Sequence, residues 1–241
     1  MTDAGNDMMS ESTHVRTVSF ALILVTYGAR SNLANRAVCQ ALEHLAVKHI
    51  IIVDNNSSSP LDLAVYKNHD VSRVTILRQS TNTGSAGGYN VGLGHARQLN
   101  DVDFVILLDD DILIGANTIE ELNKFILNNA HQSAIVIPRT DRPDQIVSLE
   151  RGYAPRIWKN SFHDFHVCNW YRFVRGERKY ISRGERVVSV DYAPYAGMVL
   201  SVGLVRRAEL PDKQFYVYCD DYDYFMKLKA AGAEPVLLNV P

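Results

Sequence analysis

Cysteine is scarce in this chain. There are three in 241 residues, Cys39, Cys168 and Cys219, far apart and odd in number, with no CxxC pair. That pattern indicates neither a zinc ribbon nor a disulfide framework, and it fits a reducing compartment. Long apolar runs are missing as well. None approaches the ~20 residues a helix needs to span a bilayer. The opening stretch, MTDAGNDMMSESTHVRT, has no apolar core, so residues 1–17 are expected to form a flexible tail, not a signal peptide. Charge of one sign is also lacking. The net charge is −2, and such a balance makes no call for nucleic acid. A globular chain remains, 46% apolar and long enough for a single α/β domain with a sizeable core. A cytoplasmic location is expected.

What is present begins with order. VSFALILVTY (18–27), HIIIVDNNSS (49–58), VTILRQ (74–79), DFVILLDDD (103–111) and SAIVIP (133–138) read as buried strands, apolar throughout and bounded by polar turns. Between them lie helical patterns. In SNLANRAVCQALEHL, Leu33, Val38, Leu42 and Leu45 recur at helical spacing, with Ser31 placed to cap the start. Leu61 to Lys67 reads as a short helix. The glycine-rich TNTGSAGG reads as a loop leading into a helix from about Tyr89 to Leu99, and NTIEELNKFILNNA as another helix. Strand and helix alternate five times, which implies a mainly parallel central sheet with helices on both faces. Ligands of such sheets bind at the carboxyl ends of the strands. Three strand ends carry distinctive polar groups, at 26–30, 54–56 and 109–111, and the alternation puts them along one edge.

Asp109, Asp110 and Asp111 terminate a buried strand, where unpaired carboxylates are costly. An Asp-x-Asp of this kind suits a hard cation such as Mg²⁺ or Mn²⁺ bridging to phosphates. An aspartyl-nucleophile phosphatase places its Asp-x-Asp after the first strand, not the fourth. A calcium loop needs acids at alternating positions, where this chain has Ile112, Leu113 and Ile114. A solvated acidic loop is the plain alternative. The glycine segment NTGSAGGYNVGLG is neither GxGxxG nor a P-loop, which disfavours a dehydrogenase or an ATPase. It permits close backbone approach to a ligand at a helix start, or it is simple turn chemistry. A second acidic cluster, Asp220, Asp221 and Asp223 in CDDYDYFMKLKAAG, stands at a helix start. The helix dipole favours acids there. Two acidic clusters also fit a division of labour, one for metal and diphosphate and one for a general base acting on a hydroxyl.

Taken in order, LILVTYGAR, IIIVDNNSS, TNTGSAGGYNVGL, VILLDDDILI, YAGMVLS and CDDYDYFMKLKAAG resemble the motifs of family 2 glycosyltransferases with the GT-A fold. The resemblance covers residues 18 to 241 and looks most like the bacterial galactofuranosyltransferase and rhamnosyltransferase branch. It implies inverting transfer of a sugar from a nucleotide-diphosphate donor, of UDP-galactofuranose or dTDP-rhamnose type, to a glycan or lipid-linked acceptor in cell-surface polysaccharide synthesis, with Mn²⁺ or Mg²⁺ as cofactor. It further implies that Thr26, Arg30, Asp54 and Asn82 line the nucleotide and diphosphate pocket. Asp109 and Asp111 become the outer acids of the metal motif, Asp110 lies near the ribose or donor sugar, and Asp221 is the base with Asp220 as fallback. Residues 18–138 become the nucleotide-sugar half and 139–241 the acceptor and catalytic half. The family often carries a His after its final strand, so the domain is expected to continue past LLNVP.

Between Arg151 and Arg186 nine basic residues face three acids, and both tryptophans, Trp158 and Trp170, fall there. That segment could contact anionic lipid on the inner membrane face or a lipid-linked diphosphate, or simply cap the core. Two rival functions stand beside transfer. A sugar-nucleotide pyrophosphorylase wants a Gly- and Arg/Lys-rich signature after the first strand, of which VTYGARSNLANR is a thin version. A binding domain that has lost its chemistry is the other.

Overall fold

The computed structural model describes residues 17–152 and 187–240. Most of the basic, aromatic segment, including both tryptophans, and the tail up to residue 16 therefore lie outside the described residues.

Apolar β-branched runs pair first with their chain neighbours. β1 (Phe20–Thr26), β2 (Val47–Asp54), β3 (Val74–Arg78) and β4 (Phe104–Asp109) form a parallel block, with β1 between β2 and β4. β5 (Ala134–Val136) and β8 (Val236–Leu238) continue the same direction. β7 (Met198–Ser201) is inserted antiparallel between β4 and β5, and β6 (Val187–Ser189) runs antiparallel along the β8 edge. The eight strands make one mixed sheet, six of them pointing the same way, as the alternating pattern implied.

Period-two alternation divides the strand residues between two cores. Leu22, Leu24, Ile50, Ile52 and Ile106 pack with α1 (Ser31–Leu42) and α3 (Ala116–Asn128). Ala21, Ile23, Ile51, Val53 and Leu107 pack on the other face with α2 (Gly84–Ala96), α5 (Val202–Arg207) and α6 (Asp220–Ala230). The remaining helix, α4 (Pro143–Arg151), follows β5.

Several local expectations need correction. The glycine segment is not a loop before a helix at Tyr89. It forms the first turns of α2, which starts at Gly84. The reason is spatial. A Cβ at Gly88 would fall 2.5 Å from a Val25 methyl, and one at Gly92 2.5 Å from an Ile23 methyl, so these glycines let the helix lie directly on β1. Ser31 is the first residue of α1 and not its cap; Arg30 holds the cap position without a side-chain cap bond. Leu45 lies past the end of α1 and is exposed. The short helix near Leu61 is one 3-10 turn, Leu63–Tyr66.

Candidate active site

Register builds the site. In the parallel block Thr26 lies beside Asp54, and Val25 beside Asp109. Asp110 therefore emerges level with Thr26 on the neighbouring strand. The Thr26 hydroxyl donates to Asp110 Oδ2 at 2.7 Å. Arg30, at the mouth of α1, reaches back and donates Nε to both Asp110 oxygens at 2.8 and 2.9 Å and Nη2 to Oδ1 at 2.5 Å. The same Nη2 donates to Asp111 Oδ2 at 2.8 Å. Asp110 is buried, 2% exposed, so its contacts are internal. It acts as the anchor that fixes Arg30, which in turn reaches Asp111. The side-chain bonds of Asp110 and Asp111 hold the Arg30 guanidinium firmly in its charged form, against the desolvation that opposes it. The guanidinium also lies over the half-exposed Tyr27 ring, 5.6 Å from its centroid.

Asp109 faces differently. It accepts from the Tyr89 hydroxyl at 3.1 Å and from Arg139 Nη1 at 3.1 Å. Arg139 is itself oriented by a two-pronged pair with Asp141 at 2.9 and 2.8 Å. Desolvation pushes the Asp109 carboxyl up, and the like charge of Asp111 adds to it, while Arg139 and Tyr89 pull it back.

Asp54 forms a neighbouring unit. Its oxygens accept from the Ser57 N–H at 2.8 Å and from Arg78 Nη1 at 2.6 Å. Burial opposes ionisation here, yet the Ser57 and Arg78 hydrogen bonds win and hold the carboxyl below the usual range. Asn82 turns its side-chain oxygen to the Gly84 N–H at 2.9 Å and to Asn55 Nδ2 at 3.0 Å. Asn55 in turn accepts from the Thr83 N–H. In this structure Asn82 and Asn55 pin the start of α2 to the end of β2.

The second acidic cluster meets the first on α2. Ser85, in its first turn, donates to Asp220 Oδ2 at 2.5 Å, and Tyr89, four residues on and on the same helix face, touches Asp109. Tyr195 stacks on Tyr89 with ring centroids 4.3 Å apart and donates its hydroxyl to the Asp220 backbone oxygen at 3.0 Å. Burial pushes the Asp220 carboxyl up, against the Ser85 bond. Asp221 is more open. Its Oδ2 accepts from the Tyr192 hydroxyl at 2.5 Å and its Oδ1 from the Tyr222 N–H at 2.8 Å. Asp223 pairs with Lys227 at 2.6 Å.

Just before α6 the chain is contorted. Tyr216, Tyr218 and Cys219 all have positive φ. Tyr216, at φ 58° and ψ −72° with the Val217 N–H bonded to the Phe215 oxygen at 2.7 Å, forms the rare, strained γ-turn. Its carbonyl accepts from the Ala86 N–H at 3.2 Å. A Cβ at Gly84, whose φ is +71°, would overlap that carbonyl.

Thr26, Arg30, Asp110 and Asp111 are thus brought into one cluster, with Asp109 and Asp54 beside it, and Asp220 is tied in through α2. Sequence reasoning missed Tyr27, Arg78, Ser85, Tyr89, Arg139 and Tyr192. The proximity of Asn55 to Asp54, and of Ser85 and Tyr89 to the glycines, was a usable signal. Tyr192 and Arg139 carry none, being far in sequence from Asp221 and Asp109.

The acids of the Asp-x-Asp pair offer only oxygen donors, which suits Mg²⁺ or Mn²⁺. No group of three or more His, Cys, Asp or Glu able to hold an ion exists among the described residues. The remaining positions would fall to phosphate and water, the usual manner of Mg²⁺. The pair fits the ion on those terms. Among the described residues no helix is long and apolar enough to cross a membrane.

The pattern described as Glycosyl transferase family 2 matches residues 21–181 of the chain. The comparison with curated proteins found no match. Among solved structures, S. aureus TarS 1–349 superposes with a TM-score of 0.60 at 14% identity, covering 92% of this chain and 58% of that one. TarS 1–349 in complex with UDP-GlcNAc gives 0.58 at 16% identity, covering 92% and 56%. GalNAc-T7 with UDP, GalNAc and Mn²⁺ gives 0.61 at 12% identity, covering 93% and 43%. At such identities the likeness speaks for the fold, which is GT-A-like as expected. The chain spans between 43% and 58% of the length of these three structures.

Proposed function

The chain belongs to glycosyl transferase family 2, and from that premise we propose that it transfers a sugar, with inversion, from a nucleotide-diphosphate donor to a hydroxyl of a glycan or lipid-linked acceptor. One observation carries this reading. A buried Asp110, clamped by Thr26 and Arg30, aims two flanking acids out of the sheet edge, and α2 ties that edge to a second acidic pair.

In this reading Arg30, with Tyr27 beside it, faces the nucleotide and diphosphate. The exposed Tyr27 ring offers a face to a base, and Asp54, steadied by Arg78, supports the same rim. Asp109 and Asp111 would hold Mn²⁺ or Mg²⁺, which supplies positive charge to the leaving diphosphate. Arg30 and Arg139 already balance those two carboxylates and stand ready to meet phosphate oxygens. Asp221 accepts the acceptor's hydroxyl proton as that oxygen bonds to the anomeric carbon. Asp220, less exposed and held by Ser85, orients the helix start. TarS with UDP-GlcNAc and GalNAc-T7 with UDP and Mn²⁺ support a UDP-sugar and a divalent ion. The motif likeness favours galactofuranose or rhamnose donors and polysaccharide synthesis at the inner membrane face, with a cytoplasmic protein as the setting.

Calorimetric titration of UDP, with EDTA and then with Mn²⁺, tests the reading. Binding is expected to weaken with EDTA, to recover with Mn²⁺, and to lose that metal dependence in Asp111→Ala. Unchanged metal dependence in the variant overturns the assignment.

A further inference from the structure

Both oxygens of Asp221 are engaged at rest, one of them by an unusual partner. Its Oδ2 takes a 2.5 Å hydrogen bond from the Tyr192 hydroxyl while Oδ1 takes the Tyr222 N–H. A base that is to receive a proton from an acceptor hydroxyl must have an O–H donor in just such a position. Tyr192 supplies one from within the chain.

The placement of Tyr192 is that of a strap. It lies in the connection between β6 and β7. One residue before it, Asp191 is fixed to Lys229 of α6 at 2.6 Å. Its ring leans on two α6 rings, Tyr222 at 5.9 Å and Phe225 at 6.3 Å between centroids. Yet Tyr192 itself is 36% exposed. Asp191 is tied down while Tyr192 stays partly open to solvent, a position from which its ring could turn away from Asp221. Burial and the Asp221 carboxylate both keep the phenol protonated, so it donates and does not attack.

We infer that the Tyr192 hydroxyl is a placeholder: it occupies the acceptor-hydroxyl position on Asp221, keeps water from being activated there, and yields to the acceptor. The inference rests on Asp221 serving as the base. Without a placeholder, a water on Asp221 would lose its proton to the carboxylate, its oxygen would bond to the anomeric carbon, and the diphosphate would leave with the bonding pair. The donor would then be hydrolysed without transfer. With Tyr192 in place a water must compete against a charge-assisted hydrogen bond, among the stronger kinds in proteins. A sugar acceptor compensates for displacing that bond with contacts that water lacks, including the exposed face of Tyr222. Tyr192 is therefore a positioning residue that sets selectivity for a sugar hydroxyl over water.

The test measures release of free nucleotide from UDP-galactofuranose, UDP-GlcNAc and dTDP-rhamnose with Mn²⁺, with and without simple alkyl glycosides as acceptors. Tyr192→Phe retains the ring and removes the hydroxyl. It is expected to raise hydrolysis relative to transfer by roughly tenfold or more, the occupancy change that loss of a hydrogen bond to a charged group brings, and to lower the acceptor KM. The gain must vanish in the double variant Tyr192→Phe with Asp221→Asn. An unchanged hydrolysis-to-transfer ratio in Tyr192→Phe, with Asp221→Asn still impaired in transfer, overturns the placeholder alone. A gain that persists in the double variant does the same. No nucleotide release from any donor by either the wild-type chain or Tyr192→Phe overturns both this inference and the transfer reading beneath it.

Discussion

The two acidic clusters are held by opposite chemistry. At the sheet edge the carboxylates are countered by arginine: Asp110 and Asp111 by Arg30, Asp109 by Arg139, Asp54 by Arg78. At the start of α6 the contacts of Asp220 and Asp221 are hydroxyls and backbone N–H groups, from Ser85, Tyr192 and Tyr222. An arginine partner sets a full positive charge against a carboxylate, in the place a metal cation would take. A hydroxyl partner supplies geometry without a full positive charge, as an acceptor hydroxyl would. The first arrangement suits metal and phosphate. The second suits a base.

The largest effect should come from the hydroxyl-held side. Asp221→Asn is expected to slow transfer by roughly 10²–10⁴, the usual loss for a general base, while UDP binding with Mn²⁺ stays normal in calorimetry. If donor binding fell with the rate, the two sides would not be chemically distinct.

Next in size is the buried anchor. Removing Arg30 leaves Asp110 nearly sealed from water with only the Thr26 hydroxyl beside it. Stripping one partner from a buried pair costs about 3–5 kcal/mol, and the partial exposure of Arg30 puts Arg30→Ala toward the low end, at roughly 3 kcal/mol in denaturant unfolding. The same change at an ordinary surface pair would cost under about 1 kcal/mol, so a small loss would mean that Asp110 is hydrated after all.

The smallest effects separate the sides by the sign of their pH dependence. Asp54 is more acidic in the folded chain than in the unfolded one. Its contribution is present above the ordinary carboxyl pKa of about 4 and is lost as the pH falls through the lower folded value. Arg78→Ala should thus destabilise at pH 7 and do so less in more acid solution. Asp220 is the reverse. Its folded carboxyl binds the proton more tightly, so it costs stability as the pH rises from about 4 through the raised folded value. Asp220→Asn, whose amide oxygen can still accept from Ser85, should gain stability over the wild-type chain from pH 4 to pH 7. Thermal melts across that range read both. Equal slopes for the two variants would erase the distinction.

The parallel block was legible because its strands are apolar from end to end and finish in polar turns, and that alone brought Thr26, Asp54 and Asp109 to one edge. The triple Asp announced itself by cost, since acids closing a buried strand demand partners. The identity of those partners was less legible. Arg30 was nearby in the motif, but Arg139 and Tyr192 come from 30 and 29 residues away, across chain reversals that periodicity does not report. The start of α2 was misread for a physical reason. Glycines signal loops by conformational freedom, whereas at Gly88 and Gly92 they serve by having no side chain where helix meets strand. The antiparallel insertion of β7 was also hidden, because a four-residue strand followed at once by a short helix has no period of its own.

Ser85 and Tyr89 lie one turn apart on α2, each gripping a different acidic cluster. A turn of helix rises about 5.4 Å, and that rise makes the helix a fixed gauge between the metal acids and the base helix. Loops around the site can lengthen or change sequence without disturbing the gauge. A single residue inserted between Ser85 and Tyr89 would swing one of them about 100° around the axis, and the two acidic clusters would lose their common reference. Diversity in what this scaffold glycosylates is therefore free to accumulate in the rim, while the five residues from Ser85 to Tyr89 keep their count.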